Sequence, residues 1–169
     1  PLRQMGARIE GKNGGEYAPI TIQGGGLRPI RYESPIASAQ VKSAILLAGL
    51  YASGETVITE PYLSRDHTEH LLVRFGVPVR RQGKSISVKG PARLMGQKIR
   101  IPGDFSSAAF FIAAASLIPD SSLLLKDVNL NPTRTGLLTV LSQMGAKIQV
   151  AHKEVTDEPR GDLQVESSS

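Results

Sequence analysis

Residues 44–50 read Ala-Ile-Leu-Leu-Ala-Gly-Leu, and residues 108–118 read Ala-Ala-Phe-Phe-Ile-Ala-Ala-Ala-Ser-Leu-Ile. A helix on the outside of a sheet keeps one polar face, and these stretches keep none. The pattern therefore predicts helices over 35–51 and 105–118 that are buried on all sides, with strands packed around them. Other stretches carry the strand period. Residues 55–60, "ETVITE", read as a strand. Residues 27–33, "LRPIRYE", form a strand ahead of the first helix. Residues 77–90, "VPVRRQGKSISVKG", form two strands joined at a glycine turn. Between them "SRDHTEHLLVRFG" (64–76) reads as a second helix.

The order strand, helix, strand, helix, strand, strand then returns. "KIRIPGD" (98–104) leads into "FSSAAFFIAAASLI", "SSLLLKDV" (121–128) is the next strand, and "NPTRTGLLTVLSQMG" (131–145) the next helix. Direct repetition supports this. "QMGARI", "RFGVPV" and "QMGAKI" start at residues 4, 74 and 143, so they are separated by 70 and 69 residues. Sliding the chain by 69 also brings Ile30-Arg31 onto Ile99-Arg100, Ser38 onto Ser107, Arg65 onto Arg134 and Gly76 onto Gly145. One βαβαββ unit thus occurs about twice, preceded by the tail of another.

Local signals set expected boundaries. Ser34 caps the first helix and Pro35 occupies its first turn. Asp66 and Glu69 have capping-box spacing, and Gly76 suits the position just past the helix end. In the second unit Asn131 is the cap, Pro132 follows it, and Gly145 is the terminator. Asp104 and Ser106-Ser107 are read as capping groups. "GGG" at 24–26 is read as a turn, since no Gly-Lys-Ser/Thr follows it. "EVTDEPRGD" (154–162) reads as a solvated loop.

Composition narrows the class. The 169 residues suffice for one ordinary core or two small lobes. An apolar content of 40% is that of a globular protein, and no run reaches the roughly 18 apolar residues of a membrane helix. The opening "PLRQMGARIEGKNGG" has no apolar leader segment. Without cysteine there are no disulfides or thiolate metal sites, which permits a reducing cytoplasm. A net charge of +5 suits an anionic partner. Nucleic acid is disfavoured, because aromatics are 5%, Trp is absent, and no basic-aromatic stretch offers a stacking platform.

The first helix opens with polar residues that burial normally excludes: Ser38, Gln40, Lys42 and Ser43. A helix N-terminus presents unpaired N–H groups and the positive end of its dipole, which suits an anion. Ser38 can donate a hydroxyl hydrogen bond, Gln40 can donate and accept, and Lys42 can add charge. The structural alternative is that Ser38 only caps and Gln40 and Lys42 face solvent. His67 and His70 stand three apart on one helix, a metal-binding spacing, but no third ligand lies near them in sequence, so no metal is expected.

"ASAQVKSAILLAGL", "SRDHTEHLLVRFGV", "IPGDFSSAAFFIAAASL" and "NPTRTGLLTVLSQMGAKI" together resemble the 5-enolpyruvylshikimate-3-phosphate synthase family, along the whole chain. The resemblance implies an inside-out α/β barrel of βαβαββ units, three in each of two lobes with helices inside, of which this chain carries about two. Residues 1–101 then belong to the first lobe, 102–104 to the hinge, and 105–169 to the start of the second lobe. The implied reaction moves the enolpyruvyl group of phosphoenolpyruvate to the 5-hydroxyl of shikimate 3-phosphate, releasing phosphate. It needs no cofactor. The implied enzyme is cytoplasmic and monomeric.

The resemblance also assigns residues. Ser38 binds the 3-phosphate with the Ala39 backbone alongside, where many relatives have a second serine. Gln40 lies at the junction of acceptor and donor. Arg65 is a further contact to shikimate 3-phosphate, and Ser64 a secondary one. The structural alternative for Arg65 is a salt bridge to Asp66 or Glu69. The family's catalytic Asp and its donor-binding Lys and Arg match nothing here and are expected beyond the C-terminus, so the chain is expected to be an internal fragment. Rival readings are an inactive scaffold fragment, a UDP-N-acetylglucosamine enolpyruvyl transferase, and an RNA 3′-phosphate cyclase-like protein. The motifs do not match the second, and a gel shift with short RNA tests the third. The isolated chain is expected to release no phosphate from the two substrates, because loss of grouped catalytic residues costs many powers of ten in rate. Turnover by the pure chain in a phosphate-release assay would refute this.

Overall fold

Alternating side chains put one face of each sheet under helices and leave the other bare, and this governs both halves of the chain. The computed structural model describes residues 1–155 and 158–168. They divide into two units, one ending at Gln97 and the other beginning at Lys98.

In the first unit, β1 (Arg8–Gly11) and β2 (Tyr17–Gln23) pair antiparallel across a four-residue helical turn, α1 (Lys12–Gly15). Asn13 and Gly14 take positive φ there, which reverses the chain. A complete repeat follows: β3 (Arg31–Glu33), α2 (Ala39–Gly49), β4 (Gly54–Thr59), α3 (His67–Arg74), β5 (Val79–Gln82) and β6 (Ser85–Gly90). The strand order is β3-β4-β6-β5, with β3 parallel to β4 and the other pairs antiparallel. Ile58, Ile86 and Val88 point to the helix side and form a core with Ile45, Leu46 and Leu50 of α2, Leu72 of α3, and Val77. Each such side chain contributes about 1.5–3 kcal/mol on full burial. The intervening positions are polar apart from Val57. Thr59 and Ser85 share a hydroxyl bond of 2.8 Å, and Ser87 donates to Glu55 at 3.0 Å.

The second unit contains α4 (Phe105–Leu117), β7 (Ser122–Asn129), α5 (Gly136–Gln143), β8 (Lys147–Glu154) and β9 (Arg160–Glu166). Its sheet order, β7-β9-β8, matches that of β4, β6 and β5. The strand expected over 98–104 is reduced to one parallel bridge, Gly103 to Val128. Gly103 donates to Asp127 O at 2.7 Å and accepts from Asn129 N at 2.9 Å. Phe105, Ala108, Ile112 and Ala115 pack on Val128, Leu130, Leu163 and Val165. The segment 154–162 is not wholly a loop, because Glu154 ends β8 and Arg160 begins β9, with two bonds from Arg160 to Glu154. Residues 156 and 157 lie outside the described residues.

The recurring glycine has one cause. Gly76 (φ 87) and Gly145 (φ 91) both end a helix. Val77 N bonds Leu72 O and Ala146 N bonds Leu141 O, both at 2.9 Å, while each glycine N–H reaches back three residues. This is the Schellman closure, which demands a left-handed residue. Gly6 (φ 102) does the same, with Ala7 N bonding Leu2 O at 3.0 Å. The third copy of the motif is thus the end of an earlier repeat.

Three expected caps are corrected. Helix α2 starts at Ala39, so Ser34 and Pro35 precede it, and Ser34 donates to Ile36 O at 2.7 Å instead. Asp66 makes no side-chain cap bond at the start of α3. Asn131 accepts from Thr133 N and Oγ1, forming a turn well before α5 begins at Gly136. Encirclement of the long apolar helices by strands is also not found within either unit. Helices α2 and α4 each bury one face on a single sheet. The opposite face of α4 exposes Phe110, Phe111 and Leu117.

A Cβ on Gly145 meets nothing within 4 Å, so an alanine there tests backbone strain alone. Gly145→Ala is expected to lower stability by about 1–2 kcal/mol in urea unfolding. Gly136, with open space and no positive φ, should take alanine without loss. Equal unfolding midpoints for both variants would overturn the account of the repeated glycine.

Candidate anion-binding site

The polar start of α2 is set by its cap. Ser38 is extended (φ −142, ψ 108), its Oγ accepts from Val41 N at 3.4 Å, and its C=O accepts from Lys42 N at 2.9 Å. Accepting through oxygen leaves the hydroxyl proton free to donate. Helix geometry leaves the N–H groups of Ala39 and Gln40 without intrahelical partners. Ser38 and Ala39 are half-buried and Gln40 is exposed. One hydroxyl, two N–H groups and the positive end of a dipole therefore meet at one turn.

Lys42 does not join them. It is 1% exposed, on the buried face of α2 with Ile45, Leu46 and Gly49. Its Nζ lies 3.1 Å from Glu60 Oε2, 2.8 Å from Glu69 Oε1 and 3.4 Å from Ser64 O. The extra cation and the solvent-facing alternative are both corrected: an ammonium with three donors has three acceptors and no access. Sequence reasoning missed Glu60 and read Glu69 only as a capping-box residue or a partner for Arg65. The signal was present in "ETVITE", since Thr56, Ile58 and Glu60 share the core side and a carboxylate there requires a cation.

Ser64 and Arg65 lie in the loop between β4 and α3. Ser64 Oγ donates to Glu60 Oε1 at 2.6 Å, and its N–H to Glu60 Oε2 at 3.4 Å. Its hydroxyl proton is therefore held within the protein. Ser43 of α2 bonds Thr68 of α3 at 2.5 Å, so both helix starts border this loop. Arg65 is exposed, and no partner for it occurs among the described residues. The alternative salt bridges are absent: Glu69 is bonded to Lys42, and Asp66 faces His70 at 3.3 Å and Arg81 at 3.5 Å. No group of three or more His, Asp or Glu suited to a metal occurs among the described residues.

The equivalent arginine of the other repeat is internally bonded. Arg134 pairs with Asp104 at 2.9 Å and also bonds Ser106 Oγ. Asp104 caps α4 by accepting from Ser107 N at 3.0 Å and Ser107 Oγ at 3.1 Å. Desolvation pushes the Asp104 carboxyl up, but the N–H groups of Ser107 and Ser106, the Ser107 hydroxyl and Arg134 outweigh it and hold it below its ordinary value.

A cavity of about 670 Å³ lies elsewhere, on the helix-free face of the first sheet. It is lined by Arg31, Glu55, Thr59, Arg80, Ser85 and Ser87 among others, and by none of Ser38, Ala39, Gln40, Ser64 or Arg65. Thr59 bonds Ser85 there, and Ser87 and Arg31 both meet Glu55, but no helix start opens into it, whereas the first turn of α2 adds free N–H donors and a dipole to the neighbouring Arg65. We place the candidate site at the latter.

Comparison with known proteins defines the class. The sequence model of the EPSP synthase family, described as 3-phosphoshikimate 1-carboxyvinyltransferase, matches residues 1–168. A 3-phosphoshikimate 1-carboxyvinyltransferase of Geobacillus kaustophilus is 56% identical over 170 residues, covering 100% of this chain and 40% of the relative. One from Desulfitobacterium hafniense is 58% identical over 166 residues, covering 98% and 38%. The solved EPSP synthase of Acinetobacter baumannii superposes with a TM-score of 0.89 at 46% identity, covering 99% of this chain and 38% of that one. The chain belongs to the EPSP synthase family, and it spans about 40% of the length of the curated relatives it matches.

The two arginines should separate cleanly. Arg134→Ala is expected to lower stability by about 1 kcal/mol, and Arg65→Ala to stay within about 0.5 kcal/mol of the parent in thermal unfolding. A loss at Arg65 equal to that at Arg134 would mean that Arg65 is structural. Asp104 adds a pH test. Its folded pKa is depressed, so its stabilisation is present above the unfolded value and is lost as pH falls through the folded one. Asp104→Asn should therefore weaken the second unit at neutral pH and reduce the further loss on acidification. An unchanged acid slope would refute the assignment.

Proposed function

We propose that this chain forms the acceptor side of an EPSP synthase, an enzyme transferring the enolpyruvyl group of phosphoenolpyruvate to the 5-hydroxyl of shikimate 3-phosphate. The observation that carries the reading is the contrast between the two arginines. Arg134 is bonded within its own repeat, while Arg65, at the equivalent position, has no partner among the described residues and stands beside a helix start with free donors. In this reading the Ser38 hydroxyl and the Ala39 N–H hold the 3-phosphate and Arg65 adds a charge-assisted contact. Gln40 projects between acceptor and donor. With Ala39 in place of the serine of many relatives, one hydroxyl bond is missing, and backbone donors compensate.

The finer architecture belongs to the same proposal. Further βαβαββ units of an inverse α/β barrel cover the apolar face of α4 that carries Phe110 and Phe111. The lobes are 1–101 and 105–169, with 102–104 as hinge. The groups acting on the donor come from other parts of a monomeric, cytoplasmic enzyme, in which closure brings donor and acceptor together.

Substitution in the full-length enzyme tests the acceptor assignment. Ser38→Ala removes one hydrogen bond to a charged group, worth about 1.5–3 kcal/mol, so the Kd for shikimate 3-phosphate should rise roughly 10- to 150-fold. Unphosphorylated shikimate should be affected far less, and Gln40→Ala should lower turnover as well as binding. Calorimetric titration of both ligands decides it. Equal weakening for the two ligands would reduce Ser38 to a helix cap.

A further inference from the structure

A buried ion cluster lies directly behind the proposed site. Lys42 is one turn from Ser38 and reaches Glu60, Glu69 and Ser64 O with its three donors. The Glu60 side chain has no exposed surface and that of Lys42 is 2% exposed. Both Glu60 oxygens then hold Ser64, one through the hydroxyl at 2.6 Å and the other through the backbone N–H at 3.4 Å. Ser64 is followed by Arg65. A continuous chain of contacts therefore runs from the first turn of α2 through Lys42, Glu60 and Ser64 to Arg65.

We propose that Lys42, Glu60 and Ser64 are positioning residues that set the Arg65 guanidinium at a fixed offset from the donors of Ser38 and Ala39. Specificity for a phosphorylated acceptor follows from that offset. The inference rests on the acceptor-site reading above and deepens it. Three features support it. The Ser64 hydroxyl proton is directed at Glu60, so Ser64 acts on the loop. A buried ion cluster is weak evidence for stability, because well-packed apolar side chains of similar volume often serve as well, so its presence calls for another role. Ser43–Thr68 ties the same two helix starts from the other side of the loop, so the segment bearing Arg65 is held at both flanks.

A double-mutant cycle in the full-length enzyme tests this, with Kd for shikimate 3-phosphate and its preference over unphosphorylated shikimate as readouts. Ser64→Ala keeps the Lys42, Glu60 and Glu69 charges intact, so it avoids an unpaired buried ion. Arg65→Ala should weaken shikimate 3-phosphate about tenfold or more. Ser64→Ala should weaken it about three- to tenfold and lower the phosphate preference, and the double variant should be no worse than Arg65→Ala alone. Lys42→Met should behave as Ser64→Ala or more severely, and where it fails to fold the Ser64 cycle stands by itself. Multiplying fold-changes in the double variant would show that Ser64 acts independently of Arg65 and overturn the proposal. So would an unchanged Kd in Ser64→Ala while Arg65→Ala is weakened. No effect of Arg65→Ala would instead overturn the acceptor-site reading itself.

Discussion

An ammonium cannot be taken out of water alone. The cost of burying one ion is several kcal/mol, and it is met here by two carboxylates and a carbonyl converging on Lys42. That requirement links three parts of the first unit that are distant in sequence: helix α2, the end of β4 with its following loop, and helix α3. The apolar core beneath would hold the helices to the sheet without it. What the core cannot do is fix the loop that carries Ser64 and Arg65, because apolar contacts are non-directional and hydrogen bonds to a carboxylate are not.

The two repeats share a scaffold and differ in where their polar groups go. Strand order and the Schellman closures at Gly76 and Gly145 are common to both. In the second repeat, Asp104 caps the helix and draws in Arg134, so donor and acceptor satisfy each other. In the first repeat the cap is a neutral serine, Ser38, and the equivalent arginine meets no carboxylate among the described residues. The caps also stand at different places in the repeat, since Ser38 aligns with Ser107 and Asp104 with Pro35, and only the second repeat brings a carboxylate to the helix start. The consequence is electrostatic, since a carboxylate at a helix N-terminus neutralises the positive end that would otherwise receive an anion.

Much of this was legible in the chain itself. "ETVITE" identified β4, Gly76 and Gly145 located two helix ends, and the spacing of about 69 residues announced the repeated unit. The family followed from four motifs and was confirmed across residues 1–168. The cap of the first apolar helix is Ser38 and not the expected Ser34. The errors share one form. Ser34, Asp66 and Asn131 each had a good capping residue type, but their side chains meet Ile36 O, His70 and Arg81, and Thr133 instead of making the expected cap bond, and residue type alone does not say which partner is nearer.

The sequence by itself determined the elements and their order, because hydrophobic period and the φ demands of glycine act over a few neighbouring residues. Tertiary structure decided the roles of the charges. Lys42, Glu60 and Glu69 are separated along the chain, and although the strand period puts Glu60 on the core side, nothing local names the cation that meets it. Only the packing of α2 and α3 on one sheet face brought them within 3.1 Å and directed the Ser64 hydroxyl inward. The same packing left Arg65 outside with no partner among the described residues, while its counterpart Arg134 was bonded to Asp104. Coulomb energy and desolvation depend on distance in space and on access to water, and neither is a property of position along the chain.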